Sequence, residues 1–275
     1  MINVAILLST YNGARFLKVQ IDSLLAQSYK NWDLYIRDDG STDGTPAIID
    51  YYTSNYTNIH FLKDQSKNKG ASQSFMWILE EVEANYYMFC DQDDFWLPGK
   101  IEITLNAMKD LESYYPELPL LVHTDLIVTD SNLQEISASF WKYARLKQNY
   151  LTKFKWLGVC NGVTGCAMMI NNKAKKIAIP TPFDAPMHDY WVALRVAQQG
   201  KISFIAKPTI LYRQHAKNEV GAQNTNYNYF IQKIKHFSTT IKNQLKQHTF
   251  LKELGYGNLL TFYWYKLKYT IIRNI

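Results

Sequence analysis

From residue 3 to residue 90, short apolar runs alternate with longer segments whose apolar residues recur at helical spacing. The runs "NVAILLS" (3–9), "DLYIR" (33–37), "IHFLK" (59–63) and "YYMFC" (86–90) read as buried strands. Between them, Phe16, Leu17, Gln20, Ile21, Leu24 and Leu25 mark a helix within 14–27, and "IIDYYTSNY" (48–56) continues a second. Phe75, Ile78, Leu79 and Val82 form the apolar stripe of a third helix, over 70–84. Such β-α-β alternation predicts an α/β fold: a doubly wound, mostly parallel sheet with helices on both faces. Ligands of open sheets of this kind gather outside the carboxyl ends of the strands. The polar breaks "STYN" (9–12), "RDDGS" (37–41) and "DQDD" (91–94) fall at those ends. The topology therefore predicts that they meet in one rim.

Beyond residue 100 the pattern loosens. A helix over about 101–114 leads to "PLLVHTDLIVTD" (119–130), one or two strands, and then to a less regular stretch ending near 160. "AMMIN" (167–171) reads as a strand and "DYWVALRVAQQG" (189–200) as a helix, with Asp189 near its start and Gly200 after its end. "KISFIAKPTILYRQH" (201–215) reads as two short strands broken by Pro208. Residues 222–275 are rich in Tyr, Phe and Lys and read as mainly helical.

The composition, 47% hydrophobic and 20% charged over 275 residues, is that of an ordinary globular chain. No apolar run follows a basic stretch near the start, and no run of about 18 apolar residues occurs, so neither a secretion signal nor a membrane span is expected. The three cysteines (Cys90, Cys160, Cys166) lack metal-finger spacing, and their odd number argues for reduced, cytosolic thiols. Charge alters this picture. Residues 222–275 carry seven Lys and one Arg against Glu253 alone, a balance of +7 in a chain whose total is +6. A near-neutral body thus carries a basic tail.

The chemistry concentrates in "CDQDDFWLPGK" (90–100), where Asp91, Asp93 and Asp94 follow a buried strand. Two familiar loops are excluded nearby. "DDGSTDGTPAIID" (38–50) approaches a calcium-loop order, but Asp50 stands where a bidentate Glu is needed, Pro46 is interior, and a strand precedes it. The first turn, "STYNGAR", has one glycine, so neither a dinucleotide fingerprint nor a P-loop is present. Apart from Cys90, which ends the strand, no His or Cys accompanies the three aspartates locally, which disfavours soft metals. Oxygen ligands suit Mg²⁺ or Mn²⁺, which completes its shell with substrate phosphates and stabilises charge on a departing diphosphate. A solvated acidic turn is the plain alternative.

The segments "VAILLSTYNGARFLKVQIDSLLAQSY" (4–29), "WDLYIRDDGSTDGT" (32–45), "NKG" (68–70) and "DQDDFWLP" (91–98) together resemble glycosyltransferase family 2, inverting enzymes of the GT-A fold. "HTDLIVTD" (123–130), "TGCAMMIN" (164–171), "MHDYWVAL" (187–194) and "LYRQHAKNEVGA" (211–222) are similar to its bacterial rhamnosyltransferase branch. The resemblance, over about residues 2–222, implies a GT-A catalytic domain over 1–221, with a nucleotide-binding half (1–100) and an acceptor-binding half (101–221); the helical tail over 222–275 lies outside it. It implies base contacts from Ser9, with Tyr11 either packing on the pyrimidine or belonging to the core. Asp39 matches the acid that reads the base's N3–H. Asn68 matches a nucleotide-approaching segment or is a turn residue. Asp93 matches the principal metal ligand, Asp91 opens the Asp-x-Asp, and Asp94 supports the loop. His215 completes the metal shell or is structural.

The resemblance further implies that Asp189 is the catalytic base, a role compatible with capping the helix that follows. His188, beside it, reads as a structural histidine. Arg213 suits a diphosphate by its forked donors. Asp125 is a candidate acceptor contact, and Tyr190 and Trp191 form either a sugar platform or core.

The implied reaction moves a sugar, L-rhamnose from dTDP-L-rhamnose first, onto a lipid-linked cell-wall, capsular or exopolysaccharide glycan. A UDP-hexose donor is the alternative within the family. A pyrophosphorylase would open with a Gly-rich, Arg-containing loop that is absent here, and a non-catalytic membrane adaptor would be expected to lose Asp93 or Asp189. In the tail, Lys233, Lys235, Lys242, Lys246, Lys252, Lys266, Lys268 and Arg273 interleave with Phe230, Ile234, Phe237, Leu245, Phe250, Leu251, Phe262, Trp264 and Tyr265. Such a segment suits an anionic membrane surface, placing the enzyme on the inner face of the plasma membrane. Packing on the body, or a homodimer, is the other reading; nucleic acid is not expected, for no nucleic-acid fold accompanies the charge.

Overall fold

The computed structural model describes residues 3–64, 68–182, 185–215 and 237–275. β1 (Val4–Thr10), α1 (Leu17–Leu25), β2 (Trp32–Asp38), α2 (Thr45–Asn55), β3 (Ile59–Phe61), α3 (Gly70–Glu81) and β4 (Tyr86–Cys90) follow one another as the alternation predicts. β1 pairs in parallel with β2 and β4, and β2 with β3. Val4 through Leu8 are wholly buried, because helices cover both faces of the central strand.

The chain continues through β5 (Phe95–Trp96), α4 (Lys100–Tyr114), β6 (Leu120–Thr129), β7 (Glu135–Ser137), α5 (Phe140–Tyr143), α6 (Gln148–Leu151), α7 (Phe154–Leu157), β8 (Met168–Asn171), α8 (Asn172–Ala178), α9 (His188–Gln199) and β9 (Lys201–Arg213). The sheet order is β3-β2-β1-β4-β8-β6-β9-β5, with β7 attached to β6. β5, β7 and β8 run against their neighbours, and the remaining strands share one direction. The expected mostly parallel sheet is present, continuous across residue 100.

The segment 201–215 departs from expectation. It is one strand, not two. β9 stays paired with β6 throughout, and the register slips between Thr124↔Ile205 and Asp125↔Pro208. The slip accommodates Pro208, which has no N–H to give to a regular ladder.

Two apolar cores flank the sheet. One lies under α1, α2 and α4; the other lies under α3, α8 and α9. The second core also receives the C-terminal hairpin, α10 (Phe237–Glu253) and α11 (Leu259–Ile272), through Leu251, Tyr256, Phe262 and Tyr269. The Lys147 amide donates to the Tyr269 hydroxyl at 3.1 Å, and Trp156 of α7 meets Tyr265 edge-on. The described tail therefore packs on the body. The 221/222 boundary, residues 216–222 of "LYRQHAKNEVGA", and Phe230, Lys233, Ile234 and Lys235 lie outside the described residues. Among the described residues, no helix is long and apolar enough to cross a membrane.

Candidate active site

Because β1, β2 and β4 are parallel neighbours, the loops after them converge. Gln92 joins two of those loops across 82 positions: its Oε1 accepts from the Thr10 hydroxyl (2.6 Å) and the Tyr11 amide (3.0 Å), and its Nε2 donates to the Tyr11 carbonyl (3.3 Å). A Cβ at Gly13 would lie 2.2 Å from Gln92 Oε1, so this clamp requires glycine there. Ser9, Tyr11, Asp39, Asp91 and Asp93 all line one cleft of about 520 Å³, with Asp189 and Tyr190 from α9. Tyr11 is 50% exposed, a free ring on the rim and not a core tyrosine.

Asp39 is held from several sides. Arg37 Nη1 donates to Oδ1 at 2.8 Å, and the amides of Lys69 and Gly70 donate to Oδ1 and Oδ2 at 2.9 and 2.8 Å. Arg37 is itself buried and also donates to Ser74 Oγ and Asp64. Asn68, in a left-handed turn (φ 58°), donates its amide to the Asp39 carbonyl, while Gly70 and Ala71 reach the cleft wall. The structure thus gives Asn68 the turn position.

In the acid loop, Asp93 Oδ2 meets His215 Nε2 at 2.7 Å, and the imidazole stacks on Phe16. Asp94 is sealed beneath the cleft, with Oδ1 accepting the Arg213 amide at 3.0 Å. Arg213 is brought to the loop as a brace. Its Nε donates to the Asp93 carbonyl and its Nη1 to the Ser131 carbonyl, both at 2.6 Å. The fork expected to receive a diphosphate is committed to main-chain oxygens and does not line the cleft.

At the opposite end, Asp189 sits in the first turn of α9, where the helix dipole favours an acid. Met187, not Asp189, occupies the cap position. The Asp189 Oδ1 accepts the Tyr190 amide at 2.6 Å. Burial raises its carboxyl to about 6, against hydrogen bonds from the Tyr190 and Gly165 amides and the Asn161 side chain. His188 is buried between Phe75 and Phe89; burial lowers its imidazole to about 3 and keeps it neutral. A Cβ at Gly165 would lie 2.6 Å from His188 Nε2, so that close approach excludes a side chain.

The acceptor candidates separate. Tyr190 lines the cleft, with its hydroxyl donating to the Gly158 carbonyl (2.8 Å) and accepting from Gln247 Nε2 of α10 (3.0 Å). Trp191 is only 4% exposed and donates Nε1 to the Ala178 carbonyl; it is core, not a platform. Asp125 is away from the cleft: its carboxylate accepts from the amides of Leu126 and Trp141 and from the Ser139 hydroxyl, and it borders a second cavity. Buried beside a register slip, that carboxylate closes backbone donors that the ladder leaves over.

The acid loop suits a hard divalent ion. Burial first, then repulsion from Asp93 and Asp189, raises the Asp91 carboxyl; burial, then Asp93 and Asp91, raises that of Asp94. Added positive charge would relieve this crowding. One carboxylate oxygen each of Asp91 and Asp94 lies within 4.8 Å of the Cys166 sulfur. Burial drives that thiol well above its ordinary value, and a hard ion would favour the oxygen and imidazole donors beside it. Gln92, Arg37, Cys166 and the wholly buried Lys100 are site elements that pattern alone did not single out.

The sequence model of glycosyl transferase family 2 matches residues 5–177, spanning β1 through most of α8. The chain belongs to glycosyltransferase family 2. Among the relatives of this glycosyltransferase, the dTDP-rhamnosyl transferase RfbG of Shigella flexneri is 29% identical over 228 residues, 78% of this chain and 74% of that protein. The UDP-Glc:alpha-D-GlcNAc-diphosphoundecaprenol beta-1,3-glucosyltransferase WfgD of Escherichia coli is 24% identical over 208 residues, 74% of this chain and 72% of that one. The mannosyltransferase PcManGT of Pyrobaculum calidifontis, solved with GDP-Man and Mn²⁺, superposes with a TM-score of 0.56 at 18% identity over 88% of this chain. The glycosyltransferase spans 64% of that structure's length, and the likeness establishes the GT-A fold.

Proposed function

We propose that the chain is an inverting rhamnosyltransferase, moving L-rhamnose from dTDP-L-rhamnose onto a lipid-linked glycan of a bacterial cell-wall, capsular or exopolysaccharide. The observation that carries the reading is one cleft with a nucleotide end at Tyr11 and Asp39, an acid loop at Asp91 and Asp93, and the carboxyl of Asp189 from α9 facing the same space. Tyr11 stacks on the pyrimidine, and Asp39 accepts from the base's N3–H. Asp91, Asp93 and His215 would hold Mn²⁺ or Mg²⁺. When bound, the ion supplies Lewis-acid charge to the departing diphosphate.

Asp189 takes the proton from the acceptor hydroxyl as that oxygen bonds to the anomeric carbon. The bond from that carbon to the diphosphate oxygen breaks, and dTDP leaves with its electron pair. A single displacement inverts the configuration. Raised to about 6, Asp189 is ionised yet basic at neutral pH, as the task requires. The name of RfbG supports the rhamnosyl donor, and that of WfgD supports a lipid-diphosphate acceptor. WfgD also favours a second reading, a UDP-hexose donor on the same site.

A panel of nucleotide sugars with Mn²⁺ or Mg²⁺, scored for nucleoside diphosphate release, separates these donors. dTDP-rhamnose is expected to lead, and a leading UDP-hexose replaces the first reading with the second. Asp189→Asn is expected to abolish release; undiminished release removes the base assignment.

A further inference from the structure

α11 has two apolar faces. Phe262 and Tyr269 point inward and are buried. Opposite them stand Leu260 (81% exposed), Trp264 (56%), Leu267 (59%) and Ile271 (52%). These positions recur at i, i+4, i+7 and i+11, so they form a single stripe at the crest of the helix. The crest of a helix already docked on its domain is where solvent normally selects polar residues.

One cation edges this stripe, on a hairpin that is basic as a whole. Lys268 Nζ lies 4.4 Å over the Trp264 ring, and residues 237–275 hold five Lys and Arg273 against Glu253 alone. At the C-terminal end of α11 opens the cavity of about 800 Å³, lined among others by Lys142, Arg145, Lys147 and Arg273. A second copy of the chain would bring the same cations face to face, which opposes self-association. An apolar stripe bearing Trp and edged with Lys matches instead the boundary between acyl chains and anionic headgroups.

We infer that the outer face of α11 lies flat on an anionic lipid surface, with Leu260, Trp264, Leu267 and Ile271 immersed and the surrounding cations on the headgroups. This deepens the lipid-linked acceptor reading by naming the surface. The hairpin is seated on α7 and α9, so the contact fixes the cleft's pose over the lipid.

The test uses the full chain without any sugar donor. Vesicles of phosphatidylcholine, with and without phosphatidylglycerol, are sedimented with the protein. Strong binding is expected only with phosphatidylglycerol, falling on the order of tenfold in Lys268→Glu and in Leu260→Gln/Trp264→Gln/Leu267→Gln. The conservative Trp264→Phe, which leaves the fold intact, is expected to remove most quenching by brominated phosphatidylglycerol. No sedimentation of the native chain overturns the inference, as does quenching unchanged by Trp264→Phe. A dimer that the triple variant dissociates, without vesicle binding, overturns it in favour of a second copy. Vesicle binding alongside a failed donor panel leaves this surface standing and removes the sugar-transfer reading alone.

Discussion

At the proposed nucleotide end of the cleft, the Asp39 carboxylate receives the Arg37 guanidinium and two backbone amides. At the far end, Asp189 receives amides and an Asn side chain, with burial raising its carboxyl. The same residue type is thus built for two tasks. A carboxylate tied to a buried cation is a fixed acceptor, suited to recognising a donor group. One with neutral donors alone sits near the point of protonation, suited to taking up a proton. The difference lies in the neighbours, and substituting at each end tests it.

The largest effect is expected from Asp189→Asn, which keeps the shape and removes the base. Turnover should fall by about 10²–10⁴, while dTDP affinity, measured by calorimetry, stays at the native value. Weakened dTDP binding in this variant would erase the distinction between the two ends. Next comes Arg37→Met, which leaves Asp39 and Asp64 without their buried cation. A loss of about 3–5 kcal/mol in denaturant unfolding is expected. Asp39→Asn should then weaken dTDP binding by roughly tenfold, about 1.4 kcal/mol, with little change in turnover at saturating donor.

The pH profile sharpens the comparison more gently. Asp189 must be ionised to act, so kcat/KM should fall with one proton as pH drops below about 6. The stability trend has the opposite sense. The folded carboxyl titrates above its ordinary value of 3.8, so the native state holds the extra proton between the two values. This group's contribution to stability therefore declines as pH rises through that window. Asp189→Asn should remove this group's share of both trends, the second read by melts across pH, while the raised carboxyls of Asp91 and Asp94 keep theirs. The smallest effect is Tyr190→Phe, which loses the bonds to Gly158 and Gln247 and should cost about 1 kcal/mol.

The nucleotide half was legible because its signals are local. β1 and β4 are dense apolar runs, β2 and β3 mixed ones, and the runs end in polar loops, so Ser9, Tyr11, Asp39, Asp91 and Asp93 could be placed on one rim from the alternation alone. What stayed hidden are partnerships across the chain. Gln92 reads as the spacer of an Asp-x-Asp until the β1–β4 pairing sets it against Thr10. Arg37 reads as a strand-end charge until α3 closes over it with Ser74. Asp125 and Trp191 misled for the converse reason: an acid after a strand and an aromatic at a helix start look alike whether they face a cleft or a core. Pro208 suggested a break because a proline marks a missing donor, and only pairing with β6 shows that a slipped register absorbs it.

Gln247 of α10 reaches both the Gly158 carbonyl and the Tyr190 hydroxyl, one residue past Asp189, the proposed base. A chain cut before Phe237 would lose more than an appendage. It would strip a support from the catalytic helix and bare Leu157, Trp191 and their neighbours to water. Slow turnover in such a shortened enzyme would then report a loosened base as much as a missing anchor, and point changes along the crest of α11 are the cleaner instrument.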